Sequence, residues 1–206
     1  ILRLGVSETI VHTWLPELFR RLHLDMPNLD VELTVDTTHS LRAGLLDRSL
    51  DIAFLMGPIS APDITNKELC TFPLIWAATP ELVLSERPLT PAELAQWPII
   101  TYARNTKPFA EINQKFREIE GPPPRYFTSS SLAACLRLTL DGVGIATLPR
   151  VMIARELAEG RLQEVSASWV PNQLDFTASY PMQSSCALID PVAELAIEVA
   201  AGYSAL

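Results

Sequence analysis

The hydrophobic period of the chain switches repeatedly between Leu2 and Met56, and this alternation narrows the fold more than any other feature. Leu2 and Leu4 alternate with Arg3 and Gly5 in the two-residue period of a strand. Val11, Trp14, Leu15, Leu18, Phe19 and Leu22 then recur at helical spacing. Pro16 lacks the backbone donor that a helix interior needs, so a kink or restart is expected at Thr13 to Leu15, and an end near Met26-Pro27-Asn28. Val31 to Val35 alternates as a second strand. Thr37 to Ser40 offers capping hydroxyls to a helix through Leu41, Leu45 and Leu46. Asp51 leads into a continuous apolar strand that runs to Met56 and is closed by Gly57-Pro58. Strand, helix, strand, helix, strand in this order predicts a parallel, doubly wound α/β sheet.

A second α/β unit begins after Leu74 to Pro80. It reads as a short helix from Pro91 to Gln96, a strand Ile99 to Tyr102, a helix near Phe109 to Ile119 and a strand Tyr126 to Thr128. A helix from Ser131 to Asp141, a strand Gly144 to Thr147, a helix Pro149 to Leu157 and the segment Leu162 to Val165 follow. Leu174 to Tyr180 alternates once more, and Pro191 to Ala201 closes as a helix. No flexible linker separates the units. The expectation is therefore an α/β fold of two Rossmann-like lobes joined by two crossover strands, Leu74 to Thr79 and Leu174 to Tyr180. On that reading, residues 1–76 and 180–206 make the first lobe, to which the last helix returns, and residues 77–179 make the second.

A formal net charge of -8 and a sequence pI near 4.9 leave no basic excess to neutralise phosphates, so this chain by itself is not expected to bind nucleic acid. Its apolar runs are strand-length, and Ile1-Leu2-Arg3-Leu4-Gly5 begins inside a strand pattern, so neither a membrane span nor a signal peptide is expected and the localisation reads as cytoplasmic. Cys70, Cys135 and Cys186 lie far apart in apolar runs, without metal or disulfide spacing, and read as buried thiols.

Catalytic motifs fail on inspection. Gly5-Val6-Ser7-Glu8-Thr9 approaches a nucleophile elbow, but Thr9 stands where the second glycine belongs, and the three histidines, at 12, 23 and 39, precede rather than follow in the order such hydrolases use. Ser7 reads better as a helix cap. Gly142-Val143-Gly144 closes a helix and opens a strand, the reverse of a dinucleotide fingerprint, so Gly142 is expected to stop a helix. No catalytic residue, metal ligand set or cofactor site is assigned, and the chain is not expected to be an enzyme.

What remains is a recurrence of hydroxyl side chains where strands end and helices begin: Ser7 and Thr9, Thr37 and Thr38, Thr101 and Tyr102, and Thr128 to Ser131. Open α/β sheets take ligands at those ends, and helix N-termini there favour anions, so a small carboxylate-bearing ligand is the natural candidate.

The order and spacing of these segments resemble the effector-binding (regulatory) domain of LysR-type transcriptional regulators, which has the type 2 periplasmic-binding-protein fold. The resemblance covers nearly the whole chain. It rests on Leu2-Arg3-Leu4-Gly5 with Leu15-Pro16-Glu17-Leu18 and Pro27-Asn28-Leu29, on Leu50-Asp51-Ile52-Ala53, on Leu89-Thr90-Pro91-Ala92-Glu93-Leu94, and on Gly142 to Pro149. It implies an effector bound between the lobes by Thr9 with Ser7, by Thr38 with His39, and by Thr101 and Tyr102 followed by Lys107-Pro108-Phe109, with Thr128 and Ser129 as further contacts. It also implies a winged helix-turn-helix domain upstream of Ile1 that carries DNA binding, a homodimer of this domain and a homotetramer of the full protein. Trp14 and Phe19 are candidates for the dimer contact. Two positions depart from the pattern: Glu8 brings a carboxylate beside the expected pocket, and Arg48-Ser49 replaces a glycine-containing turn. A transporter's solute-binding protein and a dehydratase- or deaminase-like enzyme share the fold and stand as alternatives.

Overall fold

The computed structural model describes residues 1–82, 87–183 and 186–203. In chain order these form β1 (Leu2–Val6), α1 (Glu8–Val11), α2 (Leu15–Asp25), β2 (Val31–Val35), α3 (Thr38–Leu46), β3 (Ile52–Met56), β4 (Ile64–Phe72) and β5 (Leu74–Ala78). There follow α4 (Pro91–Leu94), β6 (Ile99–Tyr102), α5 (Lys107–Arg117), β7 (Tyr126–Ser129), α6 (Leu132–Leu140) and β8 (Ile145–Pro149). A single 3-10 turn, Arg150–Ile153, leads into α7 (Ala154–Ala158), and β9 (Gln163–Glu164), β10 (Leu174–Pro181) and α8 (Ile189–Ala201) complete the chain. They gather into two units, Ile1–Phe72 with Leu174–Leu206, and Pro73–Gln173. The division falls before β5 and before β10 rather than within them, because each of these strands pairs with one sheet only.

In the first unit the sheet order is β2-β1-β3-β10-β4. β1 pairs in parallel with β2 and β3, but β10 runs antiparallel to both β3 and β4. The parallel arrangement expected of the first three strands is present, and β10 adds an antiparallel strand between β3 and β4. β4 has no counterpart in the hydrophobic pattern. Its register shifts opposite Phe176/Thr177, so Leu69 and Cys70 are buried in succession and the two-residue alternation is lost. The helix restart expected at Pro16 is present: α1 stops at Val11, Pro16 sits in the first turn of α2, and the Thr13 hydroxyl donates to the Thr9 carbonyl at 2.9 Å. Trp14 fills that break and is fully buried, its ring 5.5 Å from Phe54, so it is core and not a contact surface; Phe19 is half-buried. On the other face α3 packs Leu41 and Leu45 against Leu50, Ala53 and Leu55. A Cβ on Gly5 would lie 2.7 Å from Leu50 and 2.8 Å from Leu41, which is why β1 carries glycine there.

The second unit repeats the plan, with sheet order β7-β6-β8-β5-β9. β6 is parallel to β7 and β8, and β5 is antiparallel to β8 and β9. Trp76, Leu94, Ile99, Ile112, Phe116 and Ile145 form its core. Gly142 ends α6 as expected: its φ is +72°, the Gly142 N–H donates to the Thr139 carbonyl and the Val143 N–H to the Leu138 carbonyl, the paired bonds of a left-handed helix stop. The outer strands β2 and β7 leave Leu33, Val35 and Phe127 exposed.

Two sequence features acquire physical roles. Arg48, in the turn that departs from the glycine pattern, has φ +62°, a left-handed conformation that costs a non-glycine residue about 1–2 kcal/mol. Arg48→Gly is expected to keep or raise stability, and Arg48→Val to lower it by about 1 kcal/mol or more, as read by denaturant unfolding. Asp51, from the Leu50-Asp51-Ile52-Ala53 motif, ties the start of β3 to β1. Its Oδ2 accepts from the Arg3 backbone N–H at 2.8 Å and from Arg3 Nε at 3.2 Å, and its Oδ1 from Arg3 Nη2 at 2.6 Å. Those bonds to Arg3 hold the carboxyl below its ordinary 3.8. Their contribution is complete above that ordinary value and is lost as pH falls through the depressed one. Asp51→Asn should therefore cost about 1–2 kcal/mol near neutral pH, with the difference from the parent vanishing in strong acid.

Candidate functional site

In each sheet the first parallel strand lies between the second and the third, as β2-β1-β3 and β7-β6-β8. The connections from the central strand therefore leave in opposite directions. Outside the carboxyl ends of β1 and β3, and of β6 and β8, such a switch point opens a crevice that suits a ligand.

In the first unit Ser7 follows β1, and its N–H donates to the Phe54 carbonyl at 2.8 Å. Ser7 is only 8% exposed, and its hydroxyl has no hydrogen-bond partner among the described residues. It occupies the N-cap position of α1 without making the capping bond that the sequence suggested. Thr9 is buried one residue beyond Glu8. The Asp36 N–H donates to the Val6 carbonyl at 3.2 Å, which brings the turn after β2 beside Ser7. The Thr38 hydroxyl there is likewise buried and partnerless among the described residues, whereas His39 is exposed. Glu8 Oε1 lies 3.2 Å from His12 Nε2. His12 is thereby engaged by a carboxylate, and the Ser7 hydroxyl has no histidine partner among the described residues.

In the second unit Thr101 is completely buried and its hydroxyl also lacks a partner among the described residues. Its carbonyl accepts from the Cys135 thiol at 3.6 Å. Thr128 stands beside Thr101 in register, and Ser129 beside Tyr102, so the two pairs face opposite sides of the sheet. The Ser129 hydroxyl accepts from the Ser131 N–H at 3.0 Å. Thr106 caps α5, its hydroxyl accepting from the Phe109 N–H. Pro108 and Phe109 pack inward behind that cap: the Phe109 ring meets Tyr126 edge-on at 5.3 Å, with the Arg104 guanidinium 5.3 Å from its centre. Lys107 is exposed.

One residue here escaped the sequence reading. Thr147 in β8 is completely buried, and its hydroxyl has no partner among the described residues. The available signal was a threonine inside an otherwise apolar strand, Ile145-Ala146-Thr147-Leu148.

Of the cysteines, Cys70 and Cys135 are buried as expected, and Cys186 is half-buried. Burial pushes the Cys70 thiol up to about 11, against a smaller opposing effect from Trp14. Among the described residues no group of acidic, histidine and cysteine side chains is placed to hold a metal, and no helix is long and apolar enough to cross a membrane.

The family described as LysR substrate binding domain matches residues 1–198. The chain belongs to this family. It is an effector-sensing domain of the LysR type, with the mixed two-sheet fold of the type 2 periplasmic-binding proteins. It is 25% identical over 192 residues to the HTH-type transcriptional regulator GltR of Bacillus subtilis, covering 92% of this chain and 62% of that protein. To PtxR of Pseudomonas aeruginosa it is 30% identical over 157 residues, covering 75% and 49%. This LysR-type domain thus spans about half to three-fifths of the relatives it matches. Among solved structures, the regulatory domain of CcmR from Synechocystis PCC6803 in complex with 2-PG superposes with a TM-score of 0.81 at 16% identity, covering 97% of this chain and 96% of that one. Full-length LysG of Corynebacterium glutamicum with bound effector Arg gives 0.77 at 15%, covering 97% and 67%. These two likenesses bear on the fold. The regulator relatives do not favour a transporter's solute-binding protein.

A buried hydroxyl left without a partner costs about 1–3 kcal/mol. Ser7→Ala and Thr38→Val are accordingly expected to leave the melting temperature of the ligand-free protein unchanged or higher. A clear fall in either would mean that the hydroxyl is bonded within the protein.

Proposed function

We propose that this domain is the sensing part of a transcription factor and takes a small carboxylate-bearing effector at the carboxyl ends of its parallel strands. The candidate effector contacts of the first unit are Ser7, Thr9 and Thr38, with His39 at the rim, and those of the second are Thr101, Tyr102 and Thr128, with Ser129 beside them. Pro108 and Phe109 shape the second set of turns from behind. The observation that carries this reading is that the buried hydroxyls of Ser7, Thr38 and Thr101, at the ends where α/β sheets take ligands, have no partner among the described residues. The N-termini of α3 and α5 lie at the same ends and favour a negatively charged group. LysG, which shares the fold, was solved with Arg, a ligand that carries a carboxylate.

The domain is not an enzyme on this reading. It acts through coupling: an effector that binds one arrangement of the regulator's subunits more tightly shifts the population toward it. The DNA-binding output belongs to a winged helix-turn-helix domain in the remainder of a longer protein, and the site of action is the cytoplasm. A homodimer of this domain, assembled into a homotetramer in the full protein, fits the exposed Leu33 and Val35 on β2 and Phe127 on β7, since apolar side chains on sheet edges invite pairing.

Thermal-shift screening against aliphatic and aromatic carboxylates, amino acids and sugars tests the effector class, and stabilisation by a carboxylate is expected. Thr9→Val and Thr38→Val should each weaken that ligand by about 1 kcal/mol, roughly fivefold, in calorimetry. Unchanged affinity in both would refute the assignment. Leu33→Glu with Val35→Glu is expected to shift the domain to monomer in sedimentation equilibrium, with its fold retained.

A further inference from the structure

The second unit carries a binding feature that joins one of the recurrent strand-end hydroxyls, Thr101, to a residue outside that set, Thr147. β6 and β8 pair in parallel only as far as Ile100 and Ala146, yet both strands run on, to Tyr102 and to Pro149. Thr101 and Thr147 are the next residues on each. Since Ile99 pairs with Ile145 and Ile100 with Ala146, Thr101 and Thr147 stand in the same row and on the same face. They flank the switch point of this sheet at its carboxyl end. Both are completely buried, and neither hydroxyl has a partner among the described residues. Thr128 continues the row on β7.

We propose that Thr101 and Thr147 form a subsite that holds an uncharged oxygen of the effector, an alcohol or carbonyl group, between two hydroxyls. The row explains the chemical class. Each threonine offers one donor and acceptor lone pairs but no charge. A carboxylate buried against these hydroxyls would lose its hydration without gaining a cation, whereas an alcohol is satisfied by one donor and one acceptor and a carbonyl oxygen by two donors. The subsite therefore discriminates among carboxylates by a second, neutral group. It rests on the effector-site reading above and adds Thr147 as a specificity-determining residue on β8.

The test uses the domain itself and propane-1,2-diol as probe, with Thr101→Val, Thr147→Val and the double variant. In crystals soaked with the diol, one of its oxygens is expected within hydrogen-bond distance of both threonine hydroxyls, and this density should disappear in Thr147→Val. Without ligand, the valine variants should melt at or above the parent temperature. Water alone, or nothing, between the threonines in the soaked parent would overturn the proposal, as would a lowered melting temperature in both single variants. Calorimetry with lactate and propionate, which differ by one alcohol oxygen, separates this proposal from the reading it rests on. If both bind the parent equally and the variants unchanged, the subsite falls while the carboxylate site stands. If neither binds but the diol is seated, the subsite stands and the carboxylate reading falls.

Discussion

The burial of the central strands governs the rest of this structure. β1, β3, β6 and β8 are covered on both faces, so water is excluded from nearly every side chain they carry. In such a setting a polar side chain must find a partner within the protein or carry a penalty of about 1–3 kcal/mol. Most do find one. In the first sheet the Asn66 amide bonds both the N–H and the carbonyl of Ile59, while its oxygen also accepts from Ser179, whose hydroxyl meets that of Thr177 at 2.8 Å. In the second, the Thr139 hydroxyl donates to the Cys135 carbonyl at 2.7 Å. Among the described residues the hydroxyls of Ser7, Thr38, Thr101 and Thr147 have no partner, as is also true of Thr79 and Tyr126; the first four lie toward or just beyond the carboxyl ends of parallel strands, where the topology leaves room for a ligand.

The same burial explains why the family motifs look as they do. Asp51 ends the loop before β3 and spends its carboxylate on the backbone and guanidinium of Arg3, which sets the stagger of β3 against β1. Gly142 reverses the chain after α6 so that β8 can enter directly beside β6. Thr90 and Glu93 form a reciprocal cap that starts α4. These residues are constrained by the path of the backbone, not by contact with a ligand, and they are the ones that make the sequence pattern recognisable.

This accounts for how much was legible in the sequence. Elements with a clean period or a strong stop signal, such as β1, β2, α5 and the Gly142 turn, follow directly from the order of residues. β4 does not, because its bulge puts Leu69 and Cys70 inside in succession. The antiparallel direction of β5 and β10 is equally invisible, since an apolar run carries no information on strand direction. At the candidate site, Ser7, Thr38 and Thr101 were expected because hydroxyls at strand ends are a local signal. Whether such a hydroxyl caps a helix or lies without a partner is a tertiary fact: Ser7 does not cap, while Thr106 does. Thr147 carries no such signal, because nothing in Ile145-Ala146-Thr147-Leu148 shows that its hydroxyl lies without a partner among the described residues until the neighbouring strands are placed.

The proposed sensing role gives the partnerless hydroxyls an energetic meaning. A sensor must respond to its ligand by a free energy comparable to the coupling between sites, typically about 1–3 kcal/mol. A pocket whose polar groups were all bonded to one another would gain little from a ligand, because each new bond would replace an old one. Hydroxyls without a protein partner among the described residues leave that bond for a ligand to make, and a bond to even one of them is worth about 1–3 kcal/mol. Neutral lining groups also keep that gain independent of ionic strength, since the net charge of -8 contributes mainly through long-range fields that salt screens. The acidic surface and the hydroxyl-lined strand ends are thus separable features, and recognition on this proposal is set by the second.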